Sequence, residues 1–344
     1  MSFDLNIPLG EVLANSGEKT KRPLLIRIDN TDDFILQIDN TTMSYFHTCP
    51  RSSFFYTVRR KQRPDRAPLI FGGAIHEALE VLYRDGFEFI EKAILHALNY
   101  FEAHPYNSTG QWRNPAYAVE AIRRYVDHWD LMDNLKPISS SWVEKPFALN
   151  VGCVEVNAKL PYSASQLTDE TSDEPLYVAT IHVQWTGKID IGATNGDDRI
   201  WVVDHKTTSM GGDTFYADFE LGQQTHGYKW AMDTILGQKT SGFILNALLI
   251  RQPTRTGKGM EFDRKSYIYS DESITEWRTD MMQSVENYIH ALTNDAFPKH
   301  TAWCMGKYGR CQYHTVCTLP LLQRRFILNS TEFENVNWSP LKHE

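Results

Sequence analysis

No apolar run in this sequence approaches the length of a membrane-spanning helix, so a protein anchored by such a helix is not expected. The opening residues MSFDLNIPLGEV lack a charged-then-apolar leader pattern, and a cytoplasmic location is the default expectation. Cysteines number five in 344 residues, too few for a disulfide framework. Repeats, low-complexity tracts and Pro/Gly/Ser-rich linkers are missing, which argues against a string of independent domains. An excess of positive charge is missing too. The net charge of −8 excludes a chain that is basic all over, although local basic patches remain open. What is present is a globular composition, 42% hydrophobic and 12% aromatic, with ample length for a buried core.

The most informative stretch is Trp185 to Ser209, WTGKIDIGATNGDDRIWVVDHKTTS. It reads as two apolar strands, Ile181 to Ile191 and Ile200 to Val203, joined at an Asn195-Gly196 turn signal. Asp190 ends the first run and Asp204 follows the second. Strand alternation puts Lys206 on the same face as Asp204 and turns His205 the other way. Two buried carboxylates repel each other and lose hydration unless a partner compensates. A divalent cation such as Mg²⁺ or Mn²⁺ supplies that partner through hard oxygen ligands. The lysine can then hold a water or a phosphate oxygen as charge develops. A lone Asp-x-Lys is a weak signal, because many solvated strand ends carry it.

A shared cation adds a geometric requirement. Both acids must lie on one face of the hairpin, and faces alternate along each strand. A two-residue Asn195-Gly196 turn pairs Asp190 with Trp201 and puts the two acids on opposite faces. A three-residue loop, Thr194 to Gly196, pairs Asp190 with Ile200 and restores the parity. An odd-length loop or a bulge is therefore expected, with Gly196 left-handed.

Elsewhere the pattern gives a short strand at Leu24 to Ile28 and a helix from an N-cap at Thr41 or Thr42 to Cys49-Pro50. A basic segment follows, with Arg51, Arg59, Arg60, Lys61, Arg63 and Arg66 interleaved with Phe54, Phe55 and Tyr56. Gly72-Gly73 opens a helix that carries His76; a histidine there is ordinarily a half-buried residue, though the glycines would let a ligand approach. Helices are expected at Phe87 to Phe101, Pro115 to Leu131, Asp218 to Ile235 and Ile274 to Leu292. Strands are expected at Ser141 to Leu149 (carrying Glu144), Val151 to Leu160, Gly242 to Ile250 and Ser266 to Tyr269. Gln224 and Tyr228, four apart, share a helix face. A second basic group comprises Arg251, Arg255, Lys258, Arg264 and Lys265.

Cys304, Cys311 and Cys317 crowd one loop, FPKHTAWCMGKYGRCQYHTVC, with Cys49 far off as a fourth ligand candidate. Four thiolates fit an iron–sulfur cluster or a structural zinc, and His314 offers a local Cys₃His alternative. Cys153, in a strand pattern, is read as a small core residue.

Taken together, His76, Glu144, Asp190, Asp204-His205-Lys206 and Gln224-x-x-x-Tyr228, bracketed by Cys49 and the Cys304/Cys311/Cys317 group, resemble the RecB-type branch of the PD-(D/E)xK nuclease superfamily. Within it the likeness is to four-cysteine exonucleases, including CRISPR-associated adaptation nucleases and phage-encoded relatives. The resemblance runs from about Thr42 to Cys317. It departs from the family in the longer Cys304–Cys311 gap and in having Asp204 where Glu often stands.

The resemblance implies an α/β, restriction-endonuclease-like fold: a central mixed sheet flanked by helices, an N-terminal helical region, and a C-terminal cysteine loop closing an iron–sulfur site. It divides the chain into an extension (1–40), a single nuclease domain (41–320) and a tail (321–344). It assigns His76, Asp190 and Asp204 to the metal, with the Val203 carbonyl as a further ligand. Lys206 would activate the attacking water, Glu144 would assist through a water, and Gln224 and Tyr228 would contact the DNA strand. It favours [4Fe–4S] at Cys49, Cys304, Cys311 and Cys317. The implied function is a Mg²⁺- or Mn²⁺-dependent DNA exonuclease acting on single strands or DNA ends in recombination, repair or phage DNA processing. Arg59, Arg60 and Lys61 would be phosphate contacts and a helicase or recombination protein a partner, in the host cytoplasm if phage-encoded. The alternative is a non-catalytic DNA-end-binding recombination partner on the same fold; loss of an Asp or the Lys would mark it, and none is lost.

Overall fold

The computed structural model describes residues 25–28, 31, 33–59, 61–64, 67–106, 112–130, 132–158, 177–196, 198–253, 259–294, 296–306 and 309–335. The chain forms two compact units, each assembled from separate stretches of sequence: 1–64, 148–187 and 278–344 in one, 65–147 and 188–277 in the other.

In the first unit, strand Leu25–Arg27 pairs antiparallel with Phe34–Ile38, and the latter runs parallel to residues 181–185 of strand Tyr177–Asn195. The short first strand was expected and the second was not, although its alternating burial is a half-buried strand pattern. Helix Asn40–Thr48 follows at once. Its N-cap is Asp39 rather than Thr41 or Thr42: the Asp39 carboxylate accepts from Thr42 N–H at 2.7 Å, and a carboxylate is the better acceptor at a helix start. Phe54–Val58 forms a π-helical turn whose side chains are all buried, so the aromatics among the basic residues are core rather than a stacking surface. Cys153 is exposed on its strand and not a core residue.

The second unit is a mixed sheet with helices against it. Residues 188–195 pair antiparallel with Leu135–Pro137 on one side and with Ile200–Thr208 on the other. Ile200–Thr208 runs parallel to Gly242–Ile250, which pairs antiparallel with Met260–Tyr267. Gly242–Ile250 is buried at every position, as a central strand covered on both faces must be. Ile191, Ala193, Trp201, Val203, Ile244, Leu248 and Ile250 form one core with helices Ala67–Asp85, Ile90–Ala103 and Pro115–Trp129. On the opposite face lies helix Gln223–Leu236, and a Cβ on Gly192 would come 2.6 Å from Met232 Cε there.

Several boundaries move for identifiable reasons. The His76 helix begins at Ala67, so Gly72-Gly73 lies inside it rather than at its start. Gly73 serves helix packing, since a Cβ there would collide with the Tyr100 hydroxyl of the Ile90–Ala103 helix. The two strands expected around Glu144 and Cys153 are one, Val143–Ala158. The helix expected at Asp218 to Ile235 is two, Asp213–Glu220 and Gln223–Leu236, broken at Leu221-Gly222. Pro115 does stand at the first position of its helix, with Asn114 as N-cap. No helix among the described residues is long and apolar enough to cross a membrane.

Candidate active site

The hairpin settles the parity question. Thr194 pairs with Ile200 and Ile191 with Val203, so five residues, 195–199, make the connection. The loop is odd in length, as one-face placement requires, but two residues longer than the expected three. Gly196 is left-handed (φ 70°) and Asp198 shares that conformation (φ 58°). Counting on from the last pair brings Asp190 opposite Asp204 instead of Ile200. There the ladder opens, and His205 N–H donates to the Asp190 carboxylate (Oδ2) at 2.7 Å.

Helix Ala67–Asp85 brings in His76, whose Nδ1 lies 3.6 Å from Asp190 Oδ2. Glu144 enters from the start of its strand with φ 55°, a backbone conformation that a non-glycine residue adopts at a cost. His76, Glu144 and Asp190 each present a ligand atom, all within 4.8 Å of one another. Glu144 therefore belongs to the tightest ligand group, whereas sequence reasoning reached it only through a water. Asp204 stands beside that group, held by other partners. Gln224 Nε2 donates to its Oδ1 at 2.9 Å, and the Lys206 ammonium lies 2.6 Å from its Oδ2 in an ion pair. An imidazole nitrogen and two clustered carboxylates, with a third carboxylate alongside, suit a divalent cation.

Burial dominates the electrostatics. It raises Asp204 to about 6 against the pull of Lys206, and raises Glu144 to about 8 with Asp190 adding to the push. Asp190 is raised for the same reason. Burial, then Lys206, lowers His76 to about 4, so its imidazole is neutral and free to act as a ligand near pH 7. Burial alone would lower Lys206, but Asp204 and Asp190 more than offset it, and the ammonium is held charged.

Two charged residues were missed. Lys188 forms an ion pair with Glu144, and alternation from Asp190 was the available signal. Glu80, one helical turn beyond His76, adds its charge to the push on Glu144 and Asp190; the i, i+4 spacing was legible. Tyr228 is buried against Phe147, with its phenol within reach of the Gln224 side chain and the Lys188 backbone. Burial and the two aspartates push its pKa up. Val203 sits within the ladder between Ile191 and Ile244, its side chain in the helix-facing core.

The sequence profile of the PD-(D/E)XK nuclease superfamily matches residues 40–318. The chain belongs to that superfamily. No curated protein sequence matches the chain significantly. A crystal structure of a "Putative exonuclease" from Eubacterium rectale is similar, with a TM-score of 0.42 and 9% identity over 80% of this chain and 84% of that one. The mixed α/β fold, with its sheet flanked by helices, is consistent with the superfamily assignment.

The predicted cysteine ligands and the first basic segment's Arg59 and Lys61 lie in the first unit, and the second basic group lies in the second. Arg59 stacks over Phe54, 5.4 Å from the ring centroid, and Lys61 pairs with Asn335 in a two-stranded ladder. Arg60 lies outside the described residues, as do Arg255 and Lys258 of the second basic group. In that group the Arg264 side chain, 11% exposed, is paired with Asp133 rather than presented to a phosphate. Cys49 follows helix Asn40–Thr48, and its sulfur accepts from His300 N–H at 3.4 Å. Cys311 N–H donates to Cys304 C=O at 3.0 Å, and Lys299 Nζ to Cys317 C=O at 3.1 Å. Burial raises the Cys311 and Cys317 thiols, and the charge of Cys49 adds to the rise at both. The His300 contact places Cys49 against the segment that leads into the C-terminal cysteine loop.

Proposed function

We propose that this superfamily member is a metal-dependent DNA exonuclease. The observation that carries the reading is the His76–Glu144–Asp190 group beside the Asp204–Lys206 pair. His76, Glu144, Asp190 and Asp204 would hold Mg²⁺ or Mn²⁺, with the Val203 carbonyl as a further ligand. When bound, the cation supplies positive charge against the scissile phosphate and acidifies a water. Lys206, kept protonated by the two aspartates, orients that water and meets negative charge growing on the phosphate. Gln224 fixes the Asp204 carboxylate, and Tyr228 stands on the same helix face one turn on. Arg59, Arg60 and Lys61 would contact DNA phosphates.

In the same reading Cys49, Cys304, Cys311 and Cys317 carry a [4Fe–4S] cluster that clips the first helix to the C-terminal loop. The contact of the Cys49 sulfur with His300, just before that loop, supports four thiolates over a local Cys₃His zinc, which has no use for Cys49. End-labelled single- and double-stranded DNA, incubated with Mg²⁺ or Mn²⁺ and with EDTA, tests the activity. Stepwise shortening that EDTA abolishes is expected, and binding without cleavage would leave the end-binding alternative. Protein purified without air should contain iron and sulfide, and Cys49→Ala should lose both. Stoichiometric zinc alone would sink the cluster.

The raised carboxylates give this site a pH signature. Raised groups add stability that is present at low pH and lost as pH rises through about 6 for Asp204 and about 8 for Glu144. Metal binding displaces those protons, so affinity should rise between pH 6 and 8, about tenfold per unit for each proton released. The increase in melting temperature on adding Mn²⁺ should therefore widen with pH. An increment that stays flat would exclude these carboxylates as ligands.

A further inference from the structure

His205, between Asp204 and Lys206, was set aside in the sequence because it faces away from them. Its backbone nonetheless touches a candidate ligand: the N–H donates to Asp190 Oδ2 at 2.7 Å. Its ring stands edge-on to the His76 ring, 5.9 Å between centroids. Its ring is 2% exposed, and the ring plane lies against Tyr83 at 5.4 Å between centroids.

What fixes the ring is a row of side chains across three strands. His205 is in register with Asn246, and Asn246 with Arg264, so alternation puts all three on one face. Asn246 Nδ2 lies 2.7 Å from His205 Nδ1 and 2.8 Å from the Tyr125 hydroxyl. An amide nitrogen only donates, so Nδ1 accepts and the imidazole proton is assigned to Nε2. Asn246 Oδ1 in turn accepts from Arg264 Nε at 3.2 Å. Arg264 grips both oxygens of Asp133, at 2.7 and 2.9 Å, donates to the Tyr83 hydroxyl at 2.7 Å, and lies over the Trp129 ring. Asn246 itself is fully buried, where an unsatisfied amide would be costly.

We propose that this row is a positioning device for the metal site. Asn246 locks the His205 ring, the ring locks the peptide, and the peptide aims the Asp190 carboxylate. Hydrogen-bond partners one layer behind metal ligands commonly govern metal affinity. The inference rests on the metal-dependent reading above and assigns its ligand geometry to residues outside it.

The test uses the full chain and measures Mn²⁺ affinity without DNA, by the electron paramagnetic resonance of free ion. Asn246→Leu and His205→Leu should each weaken Mn²⁺ binding by about 10–100-fold. Activity lost at limiting Mn²⁺ should return with excess ion, while KM for DNA stays within about twofold. Phe101→Leu, a buried change whose ring partners are Phe71 and Tyr106, should lower the melting temperature yet leave Mn²⁺ affinity unchanged. Either leucine variant alone suffices if the other fails to fold. Wild-type affinity in the leucine variants, with only a lower melting temperature, would overturn the inference by itself. Wild-type protein that binds no Mn²⁺ would overturn both the inference and the reading beneath it.

Discussion

Asp204→Asn is expected to reduce DNA cleavage by about 10³-fold or more, the scale on which one preorganised electrostatic group contributes to a transition state. The amide keeps the shape of the side chain but removes the charge that holds Lys206 and faces the cation site. Stability should move differently from activity. Burial rather than pairing dominates Asp204, raising it to about 6, so its ionised form burdens the metal-free fold near neutral pH. The metal-free variant should therefore melt no lower than wild type, while the increment produced by Mn²⁺ disappears. Cleavage at the wild-type rate would sink the nuclease reading. A marked fall in melting temperature would instead show that Asp204 stabilises the fold through its pairings.

Arg264→Met should strongly destabilise the site-bearing unit. It removes the cation that grips Asp133, and side-chain exposures of 11% and 9% leave little water to replace it. Breaking a buried pair from one side costs about 3–5 kcal/mol, because the remaining charge is stranded. For a domain of this size that is a fall in melting temperature on the order of 10 °C. Replacing the partner as well, in Arg264→Met with Asp133→Leu, should recover most of the loss, since a matched apolar pair has no stranded charge. Thermal unfolding of the two variants checks both statements. Equal loss in the single and double variants would mean that the Tyr83, Tyr125 and Asn246 hydrogen bonds, not the ion pair, carry the stability.

Much of the hairpin was legible because strand chemistry is local. Alternation put Asp204 and Lys206 on one face, and parity arithmetic called for an odd loop, which is what joins the strands. The loop length was not legible. Thr194 and Ile200 still pair, so the turn extends to 199, and no short-range signal distinguishes three residues from five when Asn195-Gly196 suits both. The Gly72-Gly73 pair was misread for a related reason. Its value lies in the Tyr100 hydroxyl on another helix, a neighbour that periodicity cannot reveal. Arg264 looked like a surface cation in a basic cluster until the sheet register placed it beside Asn246 and Asp133.

The sequence by itself determined the chemistry available: which residues carry carboxylates, imidazole, amine and thiols, and which of them neighbouring periodicity puts on a common face. Those properties are set within a few residues along the chain, by side-chain type and by the two- and 3.6-residue repeats. Only the tertiary structure decided which groups meet. It brought Glu144 into contact range of His76 and Asp190, gave Lys188 to Glu144, and aligned His205, Asn246 and Arg264 in one row. These are encounters between residues far apart in sequence. They depend on strand register and helix docking, which are fixed by the packing of the whole unit.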